Sequence, residues 1–432
     1  MHGERRVLRH VVIDFNSYFA SVEQQLRPEL RGRPVGVVPM LADSTCLIAA
    51  SYECKRHGVK TLTRVRDAKR IIPDIVLVQA RHAEYVKFHE RAVKVVDSLL
   101  PIEKVMSIDE MACELPPRFS EPDAARAKAQ EVKDAICAEL GECLKTSVGI
   151  APNIFLAKQA SNMQKPDGLT VLTLDDLPHK LYVLQLGDLT GIGPRMLKRL
   201  NAQGIHTIEQ LWALNRDQLR TIWGGVGGED FYDRLRGAEI EWVHEGGKSI
   251  SHSHVLPPDQ RTLASSYAIL DRLTQKAAMR LRKAGQVTGS MAIVVKAARH
   301  YRDAASNMRW EAAARFTETQ DSHLLVRHLA ALWKQVERQA RQQARGRGAV
   351  PYQVAVVFGE LLPLSQQTPD LFDSAAVQDK RARPKEKLNQ AVDALNVRYG
   401  KHTVYFGAAH EARGHGGMAI AFNHIPDLET EA

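Results

Sequence analysis

The acids best placed for chemistry in this chain occur where a carboxylate is hardest to keep. The apolar run Val11–Val12–Ile13 ends on Asp14, and a buried acid is costly unless it is paired or holds a cation. A second stretch, VMSIDEMACEL over residues 105–115, again sets acids, Asp109 and Glu110, inside an apolar strand pattern. Two such strands paired in one sheet can share a divalent cation. Hard ions such as Mg²⁺ take a few carboxylate oxygens and leave positions open for substrate phosphates. Neighbouring strand residues point to opposite faces, so Asp109 and Glu110 reach one ion together only if one of them lies at a strand end or a bulge.

Two further stretches carry phosphate-binding chemistry. In IAPNIFLAKQASNMQKPDGLTVL (150–172) a helix places Lys158, Asn162 and Lys165 on one polar stripe, opposite Leu156, Ala160 and Met163. Pro166 and Gly168 stop that helix just past Lys165, whose ammonium suits a phosphate as a point charge. In LTGIGPRMLKRLNAQGIHTIEQL (189–211) a Gly191–Ile192–Gly193 turn is expected between two short helices. Its glycines let the backbone approach closely, and the N–H groups at the next helix start can hold a phosphate oxygen. With Leu189, Leu197, Leu200 and Ile205 flanking it, this reads as a helix-hairpin-helix, a clamp for a DNA backbone.

The elements that must position these groups follow from the apolar spacing. Strands are expected near 7–13, 35–38, 75–78, 105–113 and 146–150, with helices over 17–30, 55–71, 82–99 and 122–140. Residues 175–240 read as short helices punctuated by glycine, and HEGGKS (244–249) reads as a linker. Beyond it the order is strand (249–256), helix (261–284), strands (290–298 and 309–316), helix (320–343) and strand (352–358). That βαββαβ order makes a four-stranded sheet with both helices on one face. A last helix is expected near 385–398 in a C-terminal tail.

Charge separates the same regions. The chain carries a formal +9 over 432 residues, and residues 251–350 hold 17 Lys and Arg against 7 Asp and Glu, so this one segment supplies the whole excess. Such a concentration suits a polyanion. The composition is that of a globular protein, no apolar run approaches the ~18 residues of a membrane span, and five cysteines without a C-x-x-C pair read as reduced thiols of a cytosolic protein.

In this order the motifs DFNSYFASVE, SIDE and KPDG, with the hairpin turn, resemble the Y-family translesion DNA polymerases of the bacterial polymerase IV and polymerase V catalytic-subunit type. The resemblance covers residues 8–362. It implies an α+β fold with a right-hand core and a separate little finger. The palm would span 1–20 and 81–170, small fingers 21–80, and a helical thumb with the helix-hairpin-helix 171–240. The linker would span 241–250, the βαββαβ little finger 251–362 and the tail 363–432. The implied activity is template-directed, low-fidelity DNA synthesis past lesions on primer-template DNA with deoxynucleoside triphosphates.

Two Mg²⁺ ions, replaceable by Mn²⁺, would be held by Asp14, Asp109, Glu110 and the backbone carbonyl of Phe15. Nucleotidyl transfer uses such a pair ~3.5–4 Å apart to stabilise the attacking and leaving oxygens. Phe19 falls on the steric gate that excludes a ribose 2′-hydroxyl, and Tyr18 beside it packs under the sugar or in the core. Tyr52 and Lys55 occupy a triphosphate-contacting Y-x-x-R pattern and Lys165 a third contact, while Gly191, Gly193 and Lys198 belong to the DNA clamp. Asn16 stands where many relatives have Asp, and Lys55 exchanges the planar fork of the commoner Arg for a point charge. In QQTPDLFD (366–373), Gln367, Leu371 and Phe372 are similar to sliding-clamp-binding peptides. The protein is expected to be cytoplasmic, nucleoid-associated when on DNA, and monomeric by itself. A rival reading is a catalytically inactive relative that binds DNA and the clamp to recruit another polymerase; such relatives lose the acidic triad, which is complete here. A deoxycytidyl transferase is a third, disfavoured by the lack of an obvious added N-terminal module.

Overall fold

The structure, a computed structural model, describes residues 8–43, 45–240, 249–298, 307–343, 349–367, 375–400, 403–412 and 425, with backbone alone over 375–385. The chain divides into two compact units that meet in sequence at residues 242 and 243.

The first unit starts with β1 (His10–Phe15) and α1 (Tyr18–Leu26). A small mixed sheet follows, made of β2 (Val35–Val38), β3 (Ala49–Ala50) and β4 (Val76–Gln79), with α2 (Tyr52–Arg56) and α3 (Val65–Ile71) between the last two strands. Then come α4 (His82–Asp97), β5 (Ile102–Ser107), β6 (Glu110–Glu114), α5 (Pro122–Leu140), β7 (Thr146–Ala151), α6 (Ile154–Met163) and β8 (Leu169–Val171). Strand β1 runs through the middle of a sheet ordered β5-β6-β1-β7-β8. Val11, Val12 and Ile13 are fully buried because a central strand covered on both faces needs apolar side chains on both. Helix α6 covers the face that carries Val12 and Ala112 with Leu156, Ala157 and Ala160.

Short helices complete this unit: α7 (Pro194–Ala202), α8 (Ile208–Trp212), α9 (Arg216–Trp223) and α10 (Val226–Leu235). The second unit contains β9 (Ile250–Val255), α11 (Leu263–Lys283), β10 (Gln286–Ala298), β11 (Asn307–Thr319), α12 (Ser322–Gln343), β12 (Val350–Pro363) and α13 (Ala375–Tyr399). Its antiparallel sheet is ordered β11-β10-β12-β9. Alternate residues Met291, Ile293 and Val295 on β10, and Val354, Val356 and Phe358 on β12, pack with the apolar stripes of α11 and α12. Helix α13 is tied to this unit. The Arg282 guanidinium donates to Asp393 through two bonds of 2.6 and 2.8 Å, and Arg272 donates to the Ala412 carbonyl at 2.8 Å.

Five local expectations are corrected. The strand expected over 105–113 is two, β5 and β6, joined by a turn at Ile108–Asp109. The helix expected over 55–71 is split into α2 and α3, because Gly58 and Leu62 take left-handed backbone at φ +82 and +70. The helix that was to carry Lys165 ends at Met163, and the element immediately before the Gly191–Gly193 turn is a 3₁₀ turn (Leu186–Asp188) in place of an α-helix. The helix expected near 385–398 begins at Ala375. Among the described residues no helix is long and apolar enough to cross a membrane.

Gly149 sets how closely α6 approaches the sheet. A Cβ there would stand 2.0 Å from the Ala157 carbonyl oxygen and 2.2 Å from the Ser161 nitrogen, both backbone atoms of α6. Gly149→Ala is expected to cost about 3 kcal/mol or more of stability, read as a lowered denaturant midpoint; an unchanged midpoint would show that α6 can slide on β7.

Candidate active site

The apolar run of β1 and that of β6 bring their acids together by register. Asp14 lies directly opposite Glu110 in the antiparallel β1–β6 pair, so both side chains leave the same face of the sheet. This is the face of Val12 and Ala112, the one α6 covers. Like charges directly opposite one another are unfavourable, and two lysines answer them. The Lys158 ammonium, from α6, donates to Glu110 Oε1. Lys165, just past the end of α6, places its Nζ 2.7 Å from Asp14 Oδ2.

Asp109 escapes the alternation of a regular strand by sitting in the β5–β6 turn. Its carbonyl accepts from the Phe15 N–H at 2.8 Å, and its Oδ1 accepts from Ser107 Oγ at 2.6 Å. The turn is held from behind by His89 of α4, whose Nδ1 lies 2.8 Å from the Ile108 carbonyl oxygen. Burial pushes the His89 imidazole below its ordinary pKa, which keeps it neutral, and with the carbonyl as acceptor Nδ1 carries the hydrogen.

Burial also raises the carboxyl pKa of Asp14; Lys165 opposes the rise and the charge of Asp109 adds to it. Glu110 is raised for the same reason, with Lys158 opposing and Asp14 and Asp109 adding. The site is therefore a set of hard oxygen donors short of positive charge, which suits divalent ions such as Mg²⁺ in donor type and sign. Among the described residues no three metal-ligating side chains form a ready-made cage, and the lysines offset part of the carboxylates' mutual repulsion.

Tyr52 and Lys55 stand one helical turn apart on α2, with the Lys55 ammonium 4.3 Å from the centre of the Tyr52 ring. Burial lowers the Lys55 pKa, and so does the charge of Lys165; Asp14 and Asp109 act the other way. Burial raises the Tyr52 phenol, and the charge of Asp14 adds to it. The fields of these groups overlap, so Asp14, Asp109, Tyr52, Lys55 and Lys165 form one electrostatic neighbourhood. Phe19 is partly exposed on α1 and stacks on Tyr85 with ring centres 4.5 Å apart.

Against known proteins, residues 13–162 match the impB/mucB/samB family, and residues 247–370 match that family's C-terminal domain. A DNA polymerase IV of Moorella thermoacetica is 34% identical over 412 residues, covering 91% of this chain and 94% of the relative. The chain belongs to the Y family of DNA polymerases.

Another DNA polymerase IV, from Pelotomaculum thermopropionicum, is 30% identical and covers 91% and 93% of the two chains. Among solved structures, a Y-family polymerase chimera built largely from Dbh superposes with a TM-score of 0.66 at 21% identity, over 82% of this chain and 99% of that one. An insertion ternary complex of Dbh polymerase gives 0.53, over 81% and 98%. These structures share the fold.

The remaining candidates of this Y-family polymerase are placed as follows. Tyr18 is 2% exposed and its hydroxyl donates to the Tyr85 carbonyl at 2.8 Å, which places it in the core behind Phe19. Gly191 takes φ +89, Gly193 precedes α7, and Lys198 is exposed on α7. In the second unit Gln367 is exposed and donates to the Glu318 carbonyl at 2.6 Å; Leu371 and Phe372 lie outside the described residues. Sequence reasoning missed Glu23, which is fully buried. It accepts from the Tyr85 hydroxyl at 2.8 Å and from Arg81 at 3.0 and 2.6 Å, and so fixes the aromatic ring behind Phe19. An acid among the apolar residues of DFNSYFASVE was the available signal. His89 left none.

The raised pKa of Asp14 has a stability consequence. The folded state holds the proton more tightly than the unfolded chain, so stability falls as pH rises from the ordinary carboxyl pKa of 3.8 through the folded value, and the cost is fully present at neutral pH. Without added metal, Asp14→Asn is expected to raise the melting temperature at neutral pH by a few degrees, with the gain vanishing in acid. A lower melting temperature at neutral pH would show that the Lys165 ion pair outweighs burial.

Proposed function

We propose that this Y-family DNA polymerase extends a primer along a template, past damaged bases, by nucleotidyl transfer at the end of β1. The observation that carries this reading is the pairing of Asp14 with Glu110 across two strands, with Asp109 on the adjoining turn. Asp14, Asp109, Glu110 and the Phe15 carbonyl would hold two Mg²⁺ ions, with Mn²⁺ able to replace them. When bound, such ions supply positive charge to the attacking and leaving oxygens of an in-line displacement. Lys165, Lys55 and Tyr52 bind the triphosphate, and Phe19, backed by Tyr85, closes the space a 2′-hydroxyl would need. No protein base is assigned, because phosphoryl-type transfer depends mainly on positioning and charge.

Residues 1–20 with 81–170 form the palm, 21–80 the fingers, and 171–240 the thumb, where Gly191, Gly193 and Lys198 grip a DNA backbone. Residues 251–362 form the little finger, whose edge strand β11 exposes Arg309 and Arg315. Gln367, Leu371 and Phe372 engage a sliding clamp, and the protein works in the cytoplasm on the nucleoid as a single chain. The scaffold alternative is disfavoured by a complete acidic set backed by two lysines.

Primer extension on undamaged and lesion-bearing templates tests the reading. Asp109→Ala, prepared free of host polymerases, is expected to lose extension by about 10³-fold or more while still binding primer-template. Retained extension would leave only a DNA-binding role. In the same assay Phe19→Ala is expected to incorporate ribonucleotides that the parent rejects; unchanged sugar selectivity would remove the gate from Phe19.

A further inference from the structure

Lys165 is not carried by a helix. Helix α6 ends two residues before it, and the segment Lys165–Gly168 makes its own turn, with Asp167 in left-handed backbone at φ +59. This turn is fixed from two sides, by Lys133, which no motif includes, and by Asn16 of the DFNSYFASVE stretch. From below, Lys133 of α5 inserts its ammonium beneath the turn. Its Nζ donates to the carbonyls of Asp167 at 2.7 Å, Gly168 at 3.2 Å and Thr146 at 2.9 Å, and stands 2.9 Å from Asp167 Oδ1. The Lys133 side chain is only 9% exposed.

From the strand side, Asn16 catches the turn's backbone. Its Oδ1 accepts from the Asp167 N–H at 2.7 Å, and its Nδ2 donates to Ser147 Oγ at 3.0 Å. Ser147 Oγ in turn accepts from the Gly168 N–H at 3.4 Å. Asn16 is 3% exposed and Ser147 fully buried. Asn16 lies two residues beyond Asp14 on the same chain, so one short segment carries both the acid and the clasp that holds the acid's lysine partner.

We propose that Lys133 and Asn16 are positioning residues for the incoming nucleotide: they hold the Lys165–Gly168 turn so that Lys165 can pass its ammonium from Asp14 to a triphosphate by moving its side chain alone. The inference rests on the reading of Lys165 as a triphosphate contact. Neither residue touches the reacting atoms. Their effect is on how much ordering the nucleotide must impose when it binds, which is a property of affinity.

Single-nucleotide incorporation tests this on the full chain, with the parent, Lys133→Met, Lys133→Arg, Lys165→Ala and the double variant Lys133→Met/Lys165→Ala. Nucleotide affinity of each protein–DNA complex is read separately by fluorescence titration with a non-hydrolysable deoxynucleoside triphosphate analogue. Lys133→Met is expected to raise KM and weaken analogue binding by about tenfold with kcat changed by less than about threefold, and Lys133→Arg is expected to restore both. In the Lys165→Ala background, Lys133→Met is expected to add nothing further, since the residue it acts through is gone. Should Lys133→Met fail to fold, Asn16→Ala carries the same expectations. An unchanged KM in the Lys133 or Asn16 variant, or penalties that multiply in the double variant, overturns the inference. An unchanged KM in Lys165→Ala overturns the underlying reading, and that arm tells the two failures apart.

Discussion

Negative charge held at the end of a fully apolar strand is the constraint on which this site depends. Asp14 and Glu110 face each other across β1 and β6, with Asp109 on the adjoining turn, and burial raises the carboxyl pKa of the first two from its ordinary value. Left alone, such a cluster would take up protons. It is balanced by two lysines drawn from one short segment, Lys158 on α6 and Lys165 just beyond it. Burying an ion pair seldom stabilises a protein more than apolar packing would, so the arrangement is better understood as chemistry tolerated by the fold. In the proposed reaction Lys165 serves twice, as counterion to Asp14 and as a cation for the arriving triphosphate.

That double use demands rigid backbone around soft side chains. Gly149 lets α6 lie directly on β7, which sets how far Lys158 must reach to Glu110. His89 and the Phe15 N–H fix the turn that presents Asp109. Glu23 and Arg81 fix Tyr85, on which Phe19 rests. Lys158, Asp109 and Phe19 are thus each backed by a buried polar contact or a close backbone approach, so that small displacements of the scaffold are resisted where geometry matters most.

Much of this was legible in the chain itself, for reasons that particular residues make plain. The apolar run ending on Asp14 announced a buried acid, and the alternation along β10 and β12 with helical stripes between them announced the second unit's sheet and its two helices. The break inside 105–113 was hidden because Ile108 continues the apolar run through the turn. The early end of α6 was hidden because Lys165 keeps the polar spacing after the helix has stopped. The split between α2 and α3 is carried by Gly58, whose left-handed backbone a helical spacing does not show. His89, Lys133 and Ser147 could not be found at all from the sequence. Each acts through a side chain touching a distant backbone, and such contacts leave no period, charge run or motif.

The docking of the C-terminal helix bears on where the molecule can be cut. Arg282 is only 10% exposed, and besides Asp393 of α13 it donates to the Gln320 carbonyl at 2.8 Å and to Ser322 at 3.0 Å. Ala412, further on, is 1% exposed and lies in the core of the second unit. A shortened protein ending after β12 would strip a guanidinium of its carboxylate and open an apolar seam along α11. What looks like an appendage in the chain is a retaining wall for the unit that precedes it.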